Sequence, residues 1–323
     1  MGQRFIPDSY MFQNLVYPAV DDRYMPKSLD VMALLGSERA YAHLEAQGDT
    51  AIPGYTDQFD KLQDEFSAFN DSDWTRNLYW SWLYSLQPLM KEYGSGYPTF
   101  MQTEAWQDKQ LTTCAASWTE LRHDTILYSK QSFAGFAGMP FEPEEKRVVG
   151  YVEPVPEFYN RLLSLTRMTN EGLEEMEVLD VYSINRLDRL ESTLERLRDI
   201  SEKELQNEEL SEEDYDFIES FGEKLEGSIA GVEKEHQKTT IVADVHTDPN
   251  SGNVLEEGVG YVDMIVVAYK VPDGRILIGA GPVMTYYEFE QPMSGRLTDE
   301  EWRGMLKNSP PPKPEWSGSF MAL

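Results

Sequence analysis

TTIVADVHTDPNSGNVLEEGVGYV, residues 239–262, decides the fold, because here the apolar period drops from 3.6 residues to 2. TTIVADVHTD alternates as a strand does, DPNSGN is a turn, and NVLEEGVGYV reads as the returning partner. Further on, DMIVVAYK and RILIGAGPVMTYYEF flank VPDGR, whose Asp-Gly pair signals a hairpin. Three or four antiparallel strands are expected, and they follow a long helical stretch. The class is therefore α+β: a predominantly α-helical body with a small C-terminal antiparallel β-sheet. The expected boundaries are a helical body over 1–238, the sheet packed on it over 239–293, and a short helix with a Pro-rich tail over 294–323.

Working back toward the N-terminus, the helices are marked by caps and stripes. MPKSLDVMALLG is a short helix stopped by Gly36, and Ser37 caps the next, which Gly48 ends. After Pro53, the residues Tyr55, Phe59, Leu62 and Phe66 recur at three-to-four spacing. DSDWTRNLYWSWLYSLQPLMKEYG reads as one helix, apolar nearly all round and kinked at Pro88. Thr99 to Phe133 holds no Gly or Pro and reads as two helices, the second restarting near Thr112 and Thr113. The Gly- and Pro-rich 134–156 segment reads as an ordered surface loop. A helix opened by Pro156 follows, then two charged helices over about 183–207 and 212–235. Leu187, Leu190, Leu194 and Leu197 mark the buried stripe of the first, and Ser211 with Asp214 opens the second. Thr298 and Glu301 frame a capping box near the end, before an extended polyproline-like tail.

Charge is the strongest bulk signal: 57 acidic against 28 basic residues, net −29. Such a chain repels phosphate backbones and anionic lipid, so no nucleic-acid partner is expected. The acidic excess fits solvated faces first, then attraction of cations, then docking of a basic partner. No run of 18 apolar residues exists, so no membrane span is expected. The N-terminal MGQRFIPDSYMFQNL carries no signal-peptide pattern. The one cysteine, Cys114 in LTTCAASW, reads as a buried inert thiol.

Chemistry is sought in two places. In SWTELRHDTILYSKQS, residues 117–132, Glu120, His123 and Asp124 are three and four apart and share a helix face. A Glu-x-x-His pair is half of the motif that carboxylate-bridged metal centres use; the second half is missing here. The same residues read as a satisfied polar network, which is the preferred reading. In ADVHTDPNSGNVLEEG, Asp244, His246 and Asp248 alternate on a strand and are expected on one face. With Asn250, Asn253 and Glu256 they offer oxygens for Ca²⁺, out of EF-hand register; a bare hairpin loop has the same composition. Joined, His123, Glu120, His246 and a nearby Asp would suit Zn²⁺ and water activation, if the sheet lies over the helix. No G-x-S-x-G elbow, P-loop, G-x-G-x-x-G or His-Glu-x-x-His occurs.

The segments MGQRFIPDSYMFQNLVYP, NLYWSWLYSLQPLM, GYPTFMQTEAWQDKQL, SWTELRHDTILYSKQS, GYVEPVPEFYNRL, VADVHTDPNSG and YYEFEQPMSGRLTDEEW together resemble DUF3160. This is an archaeal and bacterial domain-of-unknown-function family. The resemblance covers nearly the whole chain and transfers no reaction, cofactor or catalytic residue. It implies the C-terminal portion of a longer protein, packed against an upstream segment or another chain, and an extracytoplasmic location. Phe5, Tyr10, Phe12 and Tyr17 are expected to be exposed and to suit such a contact. The expected function is a structural or ligand-binding domain able to hold a cation at 244–256. The alternative is a metal-dependent hydrolase with Glu120, His123 and His246 as ligands and Asp124 or Asp244 as base or second shell.

Overall fold

The computed structural model describes residues 5–125, 150–229 and 237–321. Local signals at the N-terminal end act as expected. Ser37 caps helix Glu38–Ala46 by accepting the Ala40 N–H at 3.1 Å, and Gly48 leaves it at φ +86°. Helix Tyr55–Ser67 buries Tyr55, Phe59, Leu62 and Phe66. The next segment differs from the single kinked helix expected. It breaks into Asp71–Trp74, Leu78–Leu86 and a 3₁₀ turn Gln87–Met90. Asn70 caps the start of the first piece. Asn77 causes the break, because its side chain caps a new helix start and competes with helical backbone bonding; Pro88 lies in the 3₁₀ turn. Trp74 and Trp80 then meet Phe66 and Phe69 in one aromatic cluster.

Helix Glu104–Thr125 runs through the middle of the body for 22 residues. The restart expected at Thr112 and Thr113 does not occur. Their hydroxyls donate to the Asp108 and Lys109 carbonyls at 3.0 and 3.1 Å, one turn earlier, so they are satisfied inside the helix. The rest of the 117–132 helix and the 134–149 part of the expected loop lie outside the described residues. Helix Pro156–Glu175 packs on Val181–Leu205, which buries Leu194, Leu197 and Ile200 and half-buries Leu187 and Leu190. The second charged helix divides at Ser220 into Glu212–Glu219 and Phe221–Ser228; residues 230–236 are not described.

Among the described residues five strands form rather than three or four. Strands β1 (Val242–Asp248), β2 (Asn253–Val259) and β5 (Tyr286–Pro292) make an antiparallel sheet in the order β1-β2-β5. Between β2 and β5 the chain forms a separate hairpin, β3 (Asp263–Lys270) with β4 (Ile276–Val283), turned at Gly274 with φ +90°. Helix Glu104–Thr125 covers one face of the three-stranded sheet, where Ala243, Val245, Leu255, Val259 and Tyr286 join the main core. Helix Asp299–Asn308 covers the other through Trp302, which packs with Val242, Tyr287 and Phe289. Gly258 is required there, since a Cβ would lie 2.5 Å from the Trp302 ring. The expected extended tail ends instead in a 3₁₀ turn, Glu315–Phe320, that buries Trp316 against the body. Phe12 is also buried and Tyr10 half-buried, while Phe5 and Tyr17 are exposed as expected.

Candidate functional site

The ionisable knot on helix Glu104–Thr125 resolves into an inward and an outward half. Arg122 points inward. Its guanidinium donates to Asp8 at 3.1 Å, to Ser9 at 2.9 Å and to the Val245 carbonyl of β1 at 3.3 Å. Asp8 is fully buried and also accepts from Trp118 Nε1 at 2.5 Å and from the Tyr79 hydroxyl. One carboxylate thus joins the first helix, the aromatic helix and the central helix, and the arginine extends the joint to the sheet. An ion pair buried this deeply contributes because each charge is also hydrogen-bonded.

The outward half is Glu120, His123 and Asp124. His123 Nδ1 lies 3.1 Å from Asp124, and Nε2 lies 3.2 Å from Asp299 in the first turn of the C-terminal helix. Hydrogen bonds to Asp124 and then Asp299 raise the imidazole to about 10, so it is an imidazolium at neutral pH. Asp299 also accepts the Val242 N–H at 3.1 Å. Glu120 is half-buried beside them with Oε1 enclosed and unbonded; burial first, then Asp124, pushes it to about 8.

On β1, of the three residues expected on one face, His246 and Asp248 share one and Asp244 is on the other. A bulge between Asp244 and His246 inserts Val245, so Asp244 opposes Glu256 while His246 opposes Leu255. An extra residue reverses the alternation, and that reversal was invisible to the period-2 pattern. Asp244 faces the C-terminal side and pairs with Arg296. Glu256 sits opposite, accepting the Leu297 N–H at 2.8 Å; burial foremost raises its carboxyl to about 7. His246 faces the body, edge-on to Phe12 at 6.3 Å and bonded to the Tyr24 backbone; burial lowers its pKa. Asp248 accepts Asn250 and Ser251 N–H groups at 3.0 and 2.7 Å in the turn. Burial alone would raise it, but these bonds outweigh that and hold it at about 2.

The helix does lie against β1, yet the two histidines have different partners. His123 reaches the sheet at the Val242 end through Asp299, and His246 is four residues along the strand, roughly 13 Å at the rise of a β-strand. Among the described residues, no three of the His, Cys, Asp and Glu side chains are grouped as a metal site. His123 meets Asp124 and Asp299 with Glu120 nearby, while on β1 the bulge parts Asp244 from His246 and Asp248.

Two buried clusters were missed from the sequence. Glu257 on β2 and Glu288 on β5 stand directly opposite on the face toward the central helix. Burial raises both carboxyls, Glu257 strongly, so the neutral form is favoured. Thr119 lies 3.3 Å from Glu257, and the Ser28 N–H and Tyr286 hydroxyl reach Glu288 at 2.7 and 3.1 Å. The signal existed: adjacent Glu256 and Glu257 in a strand covered on both faces must each point into protein. The second cluster centres on Asp108, which accepts from Arg39 at 2.7 and 2.8 Å, meets His43 at 2.6 Å and accepts from Ser319 at 2.6 Å. Burial opposes its ionisation, but Arg39, His43 and Ser319 hold it at about 2. Ser319 and His43 bind opposite oxygens, so the imidazole is not placed between carboxylate and hydroxyl as a nucleophilic triad needs. This cluster latches the tail. Cys114 is fully buried, and burial pushes its thiol far up, as expected for an inert thiol.

An open groove of about 930 Å³ lies between helix Val181–Leu205 and the helices Glu212–Glu219 and Phe221–Ser228, lined by both signs of charge, including Arg189, Arg196, Asp188 and Glu223. No helix among the described residues is long and apolar enough to cross a membrane. The family model DUF3160, described as a protein of unknown function, matches residues 1–317, and the chain belongs to that family. Neither a curated protein nor a solved structure matches.

Proposed function

We propose that this chain is an extracytoplasmic structural or ligand-binding domain that docks another polypeptide, an upstream segment or a separate chain. On this reading the knot on the central helix is architecture. The observation that carries it is the state of His123, whose two ring nitrogens are both committed to carboxylates, one on its own helix and one on the C-terminal helix. An imidazole that ligates a metal or relays a proton presents a nitrogen to the ion or substrate and titrates near neutrality. This one is pinned and charged. Cation binding at 244–256 is the second reading, favoured by Asp244 and Glu256 lying side by side with Glu256 Oε2 unbonded and Arg296 as the neutralising group. The hydrolase reading draws on the unbonded oxygen of Glu120 beside His123.

Elemental analysis of protein purified without added metal separates the three. The scaffold reading expects no stoichiometric transition metal, and His123→Ala lowers stability by about 1–3 kcal/mol because Asp299 and Asp124 lose their shared cation. Zinc or iron at one per chain, lost in His123→Ala, establishes the hydrolase instead. Calcium at one per chain, lost in Asp244→Asn, establishes the cation site.

A further inference from the structure

Among the described residues, the β3–β4 hairpin is covered on one face only. Ile265 and Val267 are half-buried against the main core, Tyr269 lies on Tyr151 with centroids 4.3 Å apart, and Gly279 admits the Tyr269 ring. On the opposite face Met264, Val266, Ile276 and Ile278 are 59–77% exposed, and Ala268, Ala280 and Pro282 are exposed between them. Tyr261 and Val262 extend the surface toward β2. Together these residues present roughly 700 Å² of apolar surface, above the 300–600 Å² of a typical monomer's largest patch. It approaches the ~800 Å² that each partner of a standard interface buries.

The pattern within the face says what fits it. Each rung of the hairpin sets a large side chain beside a smaller or more flexible one: Met264 by Pro282, Val266 by Ala280, Ile278 by Ala268, and Ile276 by Lys270. The large residues lie on β3 at one end and on β4 at the other. Turn a second copy face-down about a two-fold axis parallel to the strands, and every large side chain lies over the other copy's smaller one. A two-fold axis across the strands gives the same result, with Val266 over Ala268 and Ile278 over Ala280. Two-fold interfaces require such self-complementarity, and sheets stack face to face about 10 Å apart. Lys270 can lay its aliphatic stem along the rim and keep its ammonium in water.

We infer that the exposed face of the β3–β4 hairpin is a homodimer interface, stacking on the same face of a second copy as a two-layer β-sandwich. The inference rests on the reading above that this chain docks a polypeptide, and it names the partner as a second copy. The net charge of −29 opposes association, so added salt tightens the dimer by screening. A complex with a basic partner would weaken instead.

The test is sedimentation equilibrium of the full chain at micromolar concentration and near-physiological salt. A reversible dimer is expected, with the dissociation constant raised about 100-fold by Ile278→Asp and likewise by Ile276→Asp, while Ile278→Leu keeps it. Circular dichroism melts check that the variants fold, which these exposed positions permit. A wild-type chain that sediments as a monomer, a dimer indifferent to both aspartates, or a dimer loosened by salt overturns the inference. The scaffold reading fails separately, through zinc or iron lost in His123→Ala, and that result leaves the sedimentation outcome untouched.

Discussion

The two sheets of this protein invert the usual arrangement. The three-stranded sheet is covered on both faces, yet it carries Glu256, Glu257 and Glu288. The two-stranded hairpin is open on one face, and there it displays Met264, Val266, Ile276 and Ile278. Polar groups buried inside a protein are tolerated when they are hydrogen-bonded or neutral, and here the carboxyls are raised, toward neutrality, by burial. Exposed aliphatics are ordinary when scattered and informative when contiguous. The first sheet therefore teaches how the body is held together, and the second where it presents an apolar face to solvent.

Removing the joint of the buried sheet should have the largest effect. Arg122→Ala leaves Asp8 buried without its counter-ion and cuts the bond to the Val245 carbonyl. A loss of about 3–5 kcal/mol is expected in urea denaturation at neutral pH. A loss below about 1 kcal/mol would mean that this network does not join helix to sheet, and the contrast between the sheets would weaken accordingly.

The next effect is on pH dependence, with the sign fixed by the raised carboxyls. Glu120, Glu256 and Glu204, the last on helix Val181–Leu205 accepting the Val152 N–H at 3.0 Å, stand at about 8, 7 and 9 in the fold, against an ordinary 4.5, with burial the first cause in each. Folding favours their neutral form, so the stability they confer is full below about pH 4.5 and is lost as pH rises through 7 to 9. His123, raised to about 10 by Asp124 and Asp299, contributes below its ordinary 6.5 and loses that contribution as pH climbs toward 10. Both kinds of group act in the same direction. Asp108 and Asp248, held at about 2, act oppositely and lose their contribution as pH falls from 3.8 toward 2. Thermal melts should peak near pH 5 and decline by pH 9. Glu204→Gln should flatten the alkaline limb by about 1–3 kcal/mol, since a neutral amide has no proton to lose. A melting temperature that rises from pH 5 to 9 would show that these carboxyls are solvated rather than enclosed.

How much of this was legible depended on how local the deciding force was. Caps at Ser37, Ser211 and Thr298, the Tyr55–Phe66 stripe and the Asp273-Gly274 turn act within one or two turns of chain, and the sequence carries them openly. The break at Asn77 was misread because apolar residues on all sides hid the competing side-chain cap. The β1 bulge was not legible at all. It is fixed by pairing with β2 and by the Arg122 bond to the Val245 carbonyl, both long-range. For the same reason Glu120, His123 and Asp124 were rightly placed together, but Asp299, the group that defines their role, lies 176 residues from His123 and left no trace in the local pattern. Asp8 and Asp108 look like ordinary acidic residues in sequence, and only tertiary packing makes them hubs.

The smallest expected effect sharpens the contrast most. Ile278→Asp, examined at concentrations low enough to keep the chain monomeric, should change unfolding stability by no more than about 0.5 kcal/mol, because an exposed side chain has little burial to lose. The inner-face neighbour Val267, half-buried against the main core, should cost about 1–2 kcal/mol on truncation to Ala. The two residues lie on paired strands of the same hairpin and differ chiefly in which way they face. If Ile278→Asp cost as much as Val267→Ala under monomeric conditions, the outer face would be part of this chain's own core. The hairpin would then offer no free surface, and a second copy would have nothing to stack on.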